Sequence, residues 1–221
     1  MSFSIAIDGP AGAGKSTIAK RIAKKMNLIY VDTGAMYRAM GIHLIRCGIG
    51  PQDEAAISRE CANADITIKY ENGEQVVYLN GENVNPILRT EEVGSMASAC
   101  SVFKDVRAKL VQLQQKLASE VDVIMDGRDI GTVVLPNASL KVYLTASVDV
   151  RAKRRYDELI AKGEEWDLDK IKAEIAERDH RDMTRENSPL RQAEDAILVD
   201  SSDMTIDEVV DAIIKLCEGK R

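Results

Sequence analysis

One stretch near the start of the chain, Ser4-Ile5-Ala6-Ile7-Asp8-Gly9-Pro10-Ala11-Gly12-Ala13-Gly14-Lys15-Ser16-Thr17, leaves little freedom in how the rest can fold. Ile5, Ala6 and Ile7 read as a buried strand, and Ile18, Ala19, Ile22, Ala23 and Met26 recur at helical spacing behind it. Between them, Gly9 to Ser16 fits G-x-x-x-x-G-K-[ST], a loop that holds phosphate. The glycines let the backbone approach an anion closely, and the loop N–H groups and the following helix N-terminus point at its oxygens. Lys15 then supplies a point charge to the β- and γ-phosphates of a nucleotide, and the Ser16 hydroxyl is placed to ligate Mg²⁺. The strand before and the helix after supply the context that separates this motif from a chance glycine-rich turn.

Composition narrows the function classes. With 221 residues the chain can bury one sizeable core with an inserted lobe. At 45% hydrophobic and 30% charged it is globular, and its 4% aromatic content argues against base-stacking platforms. A net charge of −6 argues against a general nucleic-acid backbone binder, so any anion site must be a local basic pocket. No run approaches the length of a membrane span, and no basic, then apolar, leader precedes the first strand. A cytoplasmic protein, monomeric and free of membrane and nucleic-acid partners, is expected. Cys47, Cys61, Cys100 and Cys217 are scattered without a C-x-x-C pair, and His43 and His180 are the only histidines. Four reduced thiols are expected, and a zinc site is not.

Strand and helix patterns alternate along most of the chain. Strands are expected at 28–31, 121–126, 140–144 and 196–200 beside the first. Helices are expected after Asp32-Thr33-Gly34, at 53–64, at 91–119 with a break near Val102-Phe103, and at 148–161, 168–185 and 206–216. This alternation predicts an α/β fold, a five-stranded parallel sheet flanked by helices. Residues 65–90 depart from it. Asp65 to Tyr70 and Gln75 to Leu79 alternate apolar and polar residues around Glu71-Asn72-Gly73-Glu74, a hairpin signal that reads as an antiparallel insertion.

Phosphoryl transfer needs positive charge around both phosphates. Arg38 follows the second strand and Arg128 the third, at the sheet edge where open α/β folds bind ligands. The competing readings are a solvated helix residue for Arg38 and, for Arg128, a turn ion pair with Asp126 or Asp129. Arg178, Arg181 and Arg185 fall at i, i+3 and i+7, which predicts one helix face with three guanidiniums. That face is either an arginine-bearing lid or a surface laced with ion pairs. Asp182 is spaced to hold Arg178 or to accept from a sugar hydroxyl. Arg151 and Arg155 share a face and either touch the donor nucleotide or solvate their helix.

Four stretches together carry a resemblance: Ile7 to Thr17, Asp32-Thr33-Gly34-Ala35-Met36-Tyr37-Arg38, Asp126-Gly127-Arg128-Asp129-Ile130-Gly131-Thr132-Val133-Val134, and Glu177-Arg178-Asp179-His180-Arg181-Asp182. They resemble the bacterial cytidylate kinases, a branch of the nucleoside monophosphate kinases, over essentially the whole chain. The resemblance implies the P-loop nucleoside monophosphate kinase fold with an acceptor-binding insertion and a lid. It implies a core of 1–35, 100–150 and 190–221, a CMP-binding domain of 36–99 with its small insertion at about 65–90, and a lid region of 151–189. It implies transfer of the γ-phosphoryl group of ATP to CMP or dCMP with Mg²⁺. Lys15, Arg128, Arg181 and Arg185 become the catalytic candidates. Gly9, Pro10, Ala11, Gly12, Ala13, Gly14, Lys15, Ser16 and Thr17, with Arg151 and Arg155, become the ATP-binding ones, and Ser16 the metal-side one. Arg38, Arg128 and Arg185 match the arginines on the acceptor phosphate, in a region that includes Thr33 and Tyr37. Ser98, Arg107 and Asp129 match residues around the cytosine, and Arg178 and Asp182 residues near the pentose. The rival readings are a kinase for UMP or dephospho-coenzyme A, or a nucleotide switch without an acceptor site. No N-K-x-D guanine motif supports the last.

Overall fold

The computed structural model describes residues 2–71 and 73–220. In chain order the elements are β1 (Ser4–Asp8), α1 (Lys15–Met26), β2 (Ile29–Asp32), α2 (Thr33–Arg46), α3 (Glu54–Glu60), β3 (Ile66–Glu71), β4 (Glu74–Leu79) and β5 (Glu82–Asn83). They continue with α4 (Glu91–Cys100), α5 (Lys104–Glu120), β6 (Val123–Gly127), β7 (Leu140–Thr145), α6 (Val148–Ala161), α7 (Leu168–Thr184), β8 (Ile197–Asp200) and α8 (Ile206–Leu216). Two compact units result, one from the residues up to Tyr30 and from Val121 onward, the other from Val31–Glu120.

The first unit is built on a five-stranded sheet of order β2-β6-β1-β7-β8. β1 is central and parallel to both β6 and β7. Its residues are buried throughout, as a strand covered on both faces must be. Register pairs Ile7 with Asp126 and Asp8 with Gly127, so the phosphate loop and the Asp126–Arg128 turn leave the sheet at the same edge. Ile18, Ala19, Ile22 and Ala23 of α1 pack with Ile5, Ile7, Leu144, Val209 and Ile213 in one core, as the helical spacing predicts. Full burial of each isoleucine, leucine or valine side chain among them contributes about 1.5–3 kcal/mol. A capping box of Thr205 and Glu208 fixes the start of α8. Helices α6 and α7 hold a small core of their own, where Trp166 packs on Ala152, Leu159, Ile171 and Ile175.

The second unit packs α2 on α4, with close approach at Gly41, where a Cβ would lie 3.2 Å from the Ala97 nitrogen. The insertion forms the expected hairpin, β3 antiparallel to β4, with β5 completing a three-stranded sheet. Asn72, half of its Asn-Gly turn signal, lies outside the described residues. Most element ends fall within a few residues of expectation, and the helical break between α4 and α5 is present. Helix α5, expected with the core segment, packs within the second unit.

Candidate active site

The loop between β1 and α1 takes its shape from two glycine positions. A Cβ at Gly9 would collide with the Leu144 carbonyl oxygen, and Gly14, at φ 87°, begins α1 in a left-handed conformation that other residues adopt only with strain. Lys15 is buried, and its Nζ donates to the Pro10 carbonyl at 2.7 Å. Burial, then the nearby Arg128, pulls its ammonium well below the usual lysine range, while Asp126 and Asp8 oppose that shift. Such a lysine gains most from an anion brought beside it.

Ser16 Oγ donates to Asp126 Oδ2 at 2.9 Å, and Tyr30 Oη donates to Asp126 Oδ1 at 2.8 Å. A hydroxyl and a buried carboxylate at the mouth of a phosphate loop are hard oxygen donors, and this donor set fits Mg²⁺. Asp8 accepts from the Ile130 and Gly131 amides, each at 2.7 Å, and so anchors the turn that follows β6. That turn is π-helical, with the Asp129 and Ile130 carbonyls accepting from residues five positions on, Val134 and Leu135.

Arg128 takes neither ion partner available within its own turn. Its Nε donates to Asp182 Oδ2 at 2.7 Å and its Nη1 to the Gly9 carbonyl at 3.2 Å, joining the loop to α7. Burial alone would raise Asp182, but Arg128, with Arg178 and Arg185, holds it below the usual carboxylate range.

The expected triple-arginine face does not form. Arg185 lies past the last turn of α7 with extended backbone, its Nε donating to the Ser188 carbonyl and its Nη2 4.0 Å from Asp129 Oδ1. Arg181 is exposed beside Glu177. Arg178 is exposed too, near enough to Lys15 to act on it electrostatically.

Arg151 and Arg155 also part company. Arg155 pairs with Glu158 in solvent. Arg151 is buried, donating to the Ala146 and Ala11 carbonyls at 2.8 Å each and pairing with Asp179 at 2.6 Å. Asp179 in turn accepts from the Ala11 amide. Ala11 is thus held at both its N–H and its carbonyl, by Asp179 of α7 and Arg151 of α6. Arg151 is therefore turned inward and tied to the loop backbone. Asp179 was missed because its partners lie far away in sequence; its i, i+4 spacing from Ile171 and Ile175 was the available sign of burial.

The second unit carries the remaining candidates. Asp32 caps α2 by accepting from the Ala35 amide, which presents Thr33, Tyr37 and Arg38 on its first turns. Gln75 of the hairpin accepts from the Asp32 amide at 2.8 Å and donates to its carbonyl at 3.3 Å, tying the insertion to the start of α2. Arg38 is half-buried and donates to the Leu88 carbonyl, so it is not a solvated helix residue. Burial lowers its pKa from the usual arginine value. The buried Arg107 guanidinium stands 5.6 Å from the centroid of the Tyr37 ring and donates to the Ser101 carbonyl. Ser101 Oγ donates to the Ser98 carbonyl, which brings Tyr37, Ser98 and Arg107 into one neighbourhood.

Known proteins resemble the chain over nearly its whole length. The family model described as cytidylate kinase matches residues 5–219. A cytidylate kinase of Caldicellulosiruptor bescii is 51% identical, covering 97% of this chain and 95% of its own. One from Listeria innocua is 50% identical, covering 98% and 96%. Among solved structures, an uncharacterized protein from Eubacterium ventriosum shares the fold at a TM-score of 0.56 and 15% identity, with 99% of each chain covered. A gluconokinase from Sinorhizobium meliloti does so at 0.50 and 15%, covering 98% of this chain and 94% of its own. On the strength of the family match and of relatives about half identical over nearly the full length, the chain belongs to the cytidylate kinase family.

Proposed function

We propose that the protein transfers the γ-phosphoryl group of ATP to CMP or dCMP, giving ADP and CDP or dCDP. What carries this reading is the grouping of the buried Lys15 and Asp126 with the half-buried Arg128 at a phosphate loop, in a chain half identical to curated cytidylate kinases. The loop amides and Lys15 hold the β- and γ-phosphates, and Ser16 with Asp126 holds Mg²⁺. When bound, that ion neutralises charge on the donor phosphates. Arg38, Arg128 and Arg185 neutralise the acceptor phosphate, whose oxygen attacks the γ-phosphorus in line. Arg178 and Arg181 on α7 belong to a lid that adds charge at the transition state and excludes water. Arg151 and Asp179 keep the loop in its anion-binding shape.

Cytosine presents an amino donor at N4 beside an acceptor at N3, whereas uracil reverses the two. Ser98 and Asp129 are assigned to the first and Arg107 to the second. A mismatched polar group in a closed site costs about 1–3 kcal/mol, which favours CMP over UMP by orders of magnitude when several are mismatched. The net charge of −6 fits small nucleotides as partners and not a nucleic-acid polymer. No described helix is long and apolar enough to cross a membrane. We place the enzyme in the cytoplasm as a monomer.

The test is ADP release measured with CMP, dCMP, UMP and dephospho-coenzyme A as acceptors. CMP and dCMP should dominate, and Lys15→Ala should lower turnover by about two orders of magnitude or more in a folded protein. Release independent of CMP would identify a nucleotide switch instead.

A further inference from the structure

Away from the phosphate loop, the second unit brings three metal-ligating side chains to one point: His43, Cys47 and Glu60. His43 and Cys47 are four apart at the end of α2, so their side chains stack on one face, and Glu60 ends α3. His43 Nε2 is 3.2 Å from Glu60 Oε1 and 3.9 Å from Cys47 Sγ, and Cys47 Sγ is 3.8 Å from Glu60 Oε1. No C-x-x-C pair marks such a site in the sequence, because Glu60, thirteen positions beyond Cys47, reaches it only through the fold.

We infer that His43 Nε2, Cys47 Sγ and Glu60 Oε1 form a three-ligand site for Zn²⁺, with water as the fourth ligand. Tetrahedral zinc with bonds of about 2.3 Å to sulfur and about 2.0–2.1 Å to nitrogen and oxygen sets its ligand atoms about 3.3–3.6 Å apart. The triangle in hand needs only a few tenths of an ångström of adjustment to match. Imidazole, thiolate and carboxylate are the ligand types zinc takes, and the mixed set disfavours Mg²⁺ and Ca²⁺, which need oxygen. His43 is buried, which fixes its ring, while Cys47 is exposed, which leaves a path for the ion and room for water. The last turn of α2 is closed by Gly48 N–H donating to the Ile45 carbonyl and Ile49 N–H to the Leu44 carbonyl, so two of the three ligands stand on a fixed frame. The helix C-terminus carries partial negative charge, which favours a cation there. On binding, the Cys47 thiol gives its proton to solvent and its sulfur forms the metal bond, with no oxidation or reduction. The ion would clip the end of α2 to α3.

The site is tested on the full-length protein in reducing buffer, without nucleotide, by titration with Zn²⁺ against a chromophoric chelator and with Co²⁺ by absorption. One Zn²⁺ per chain is expected, together with a thiolate-to-cobalt charge-transfer band in the near ultraviolet. At a free Zn²⁺ concentration about a hundredfold above Kd, the melting temperature should rise by about 5–10 °C. Cys47→Ser, at an exposed position, should abolish the band and weaken Zn²⁺ binding by about a hundredfold or more, and Glu60→Gln should weaken it similarly. His180→Gln, at the other histidine, should change neither. Absence of the cobalt band in the parent protein, or equal Zn²⁺ affinity in parent and Cys47→Ser, would overturn the site.

Discussion

Asp8 shows how one buried carboxyl couples the loop's frame to pH. It is 4% exposed, and burial, only partly offset by the Ile130 and Gly131 amides, raises its pKa from 3.8 to about 6. The folded protein therefore keeps this proton up to about pH 6, while the unfolded chain releases it near 3.8. Between those values the folded state binds more protons, so this residue's contribution to stability is full below about pH 4 and is lost as pH rises through about 6. The shift corresponds to about 3 kcal/mol. Denaturant unfolding from pH 4 to 7 should show the parent losing about that much relative to Asp8→Asn, whose side chain stays neutral throughout. Parallel curves would mean that Asp8 titrates alike in both states. Asp129 illustrates a different residue-scale point. Resemblance matches it to the cytosine, and it also lies 4.0 Å from Arg185 Nη2, so it bears on where that arginine points.

Helix α7 separates two roles within one charged stretch. Asp179 is buried against the phosphate loop, while Arg181 faces solvent. Asp179→Ala would leave the buried Arg151 guanidinium without its carboxylate and should cost about 3–5 kcal/mol of stability. It should also weaken ATP binding, because the Ala11 amide loses its acceptor. Arg181→Ala should change stability by less than about 0.5 kcal/mol and act mainly on turnover. Calorimetry and steady-state kinetics on the two variants separate these effects; equal turnover of Arg181→Ala and the parent would mark Arg181 as a plain surface residue. The reach of sequence reasoning follows the same division. The spans of α8 and the hairpin strands were legible because apolar spacing reports which face is buried. The placement of Lys15 and Ser16 at the start of α1 was legible because it is local to one loop. Arg151, Asp179, Gln75 and the partner of Arg128 were not, because spacing does not report which distant backbone group a side chain meets. Arg185 was misplaced because helical spacing was carried one residue beyond the helix, where the chain turns extended.

Each of the two units has its own sheet, and the proposed function assigns the loop on Gly9–Thr17 to ATP and the Tyr37–Arg107 neighbourhood to CMP. Amide hydrogen exchange should record this division. A non-hydrolysable ATP analogue should slow exchange at Gly9–Thr17 and Ile130–Val134, and CMP alone should slow it at Thr33–Arg38 and Ser98–Arg107. CMP protection confined to the first unit would remove Tyr37, Arg38, Ser98 and Arg107 from the acceptor site. The separate small core of α6 and α7 has an optical consequence. The chain has a single tryptophan, and it lies in that core, with the Lys170 ammonium 5.4 Å from its ring centroid. Excited selectively, Trp166 emits from the α6–α7 pair alone, so its spectrum is a built-in gauge of that pair's packing, with no label to attach and no other indole to subtract.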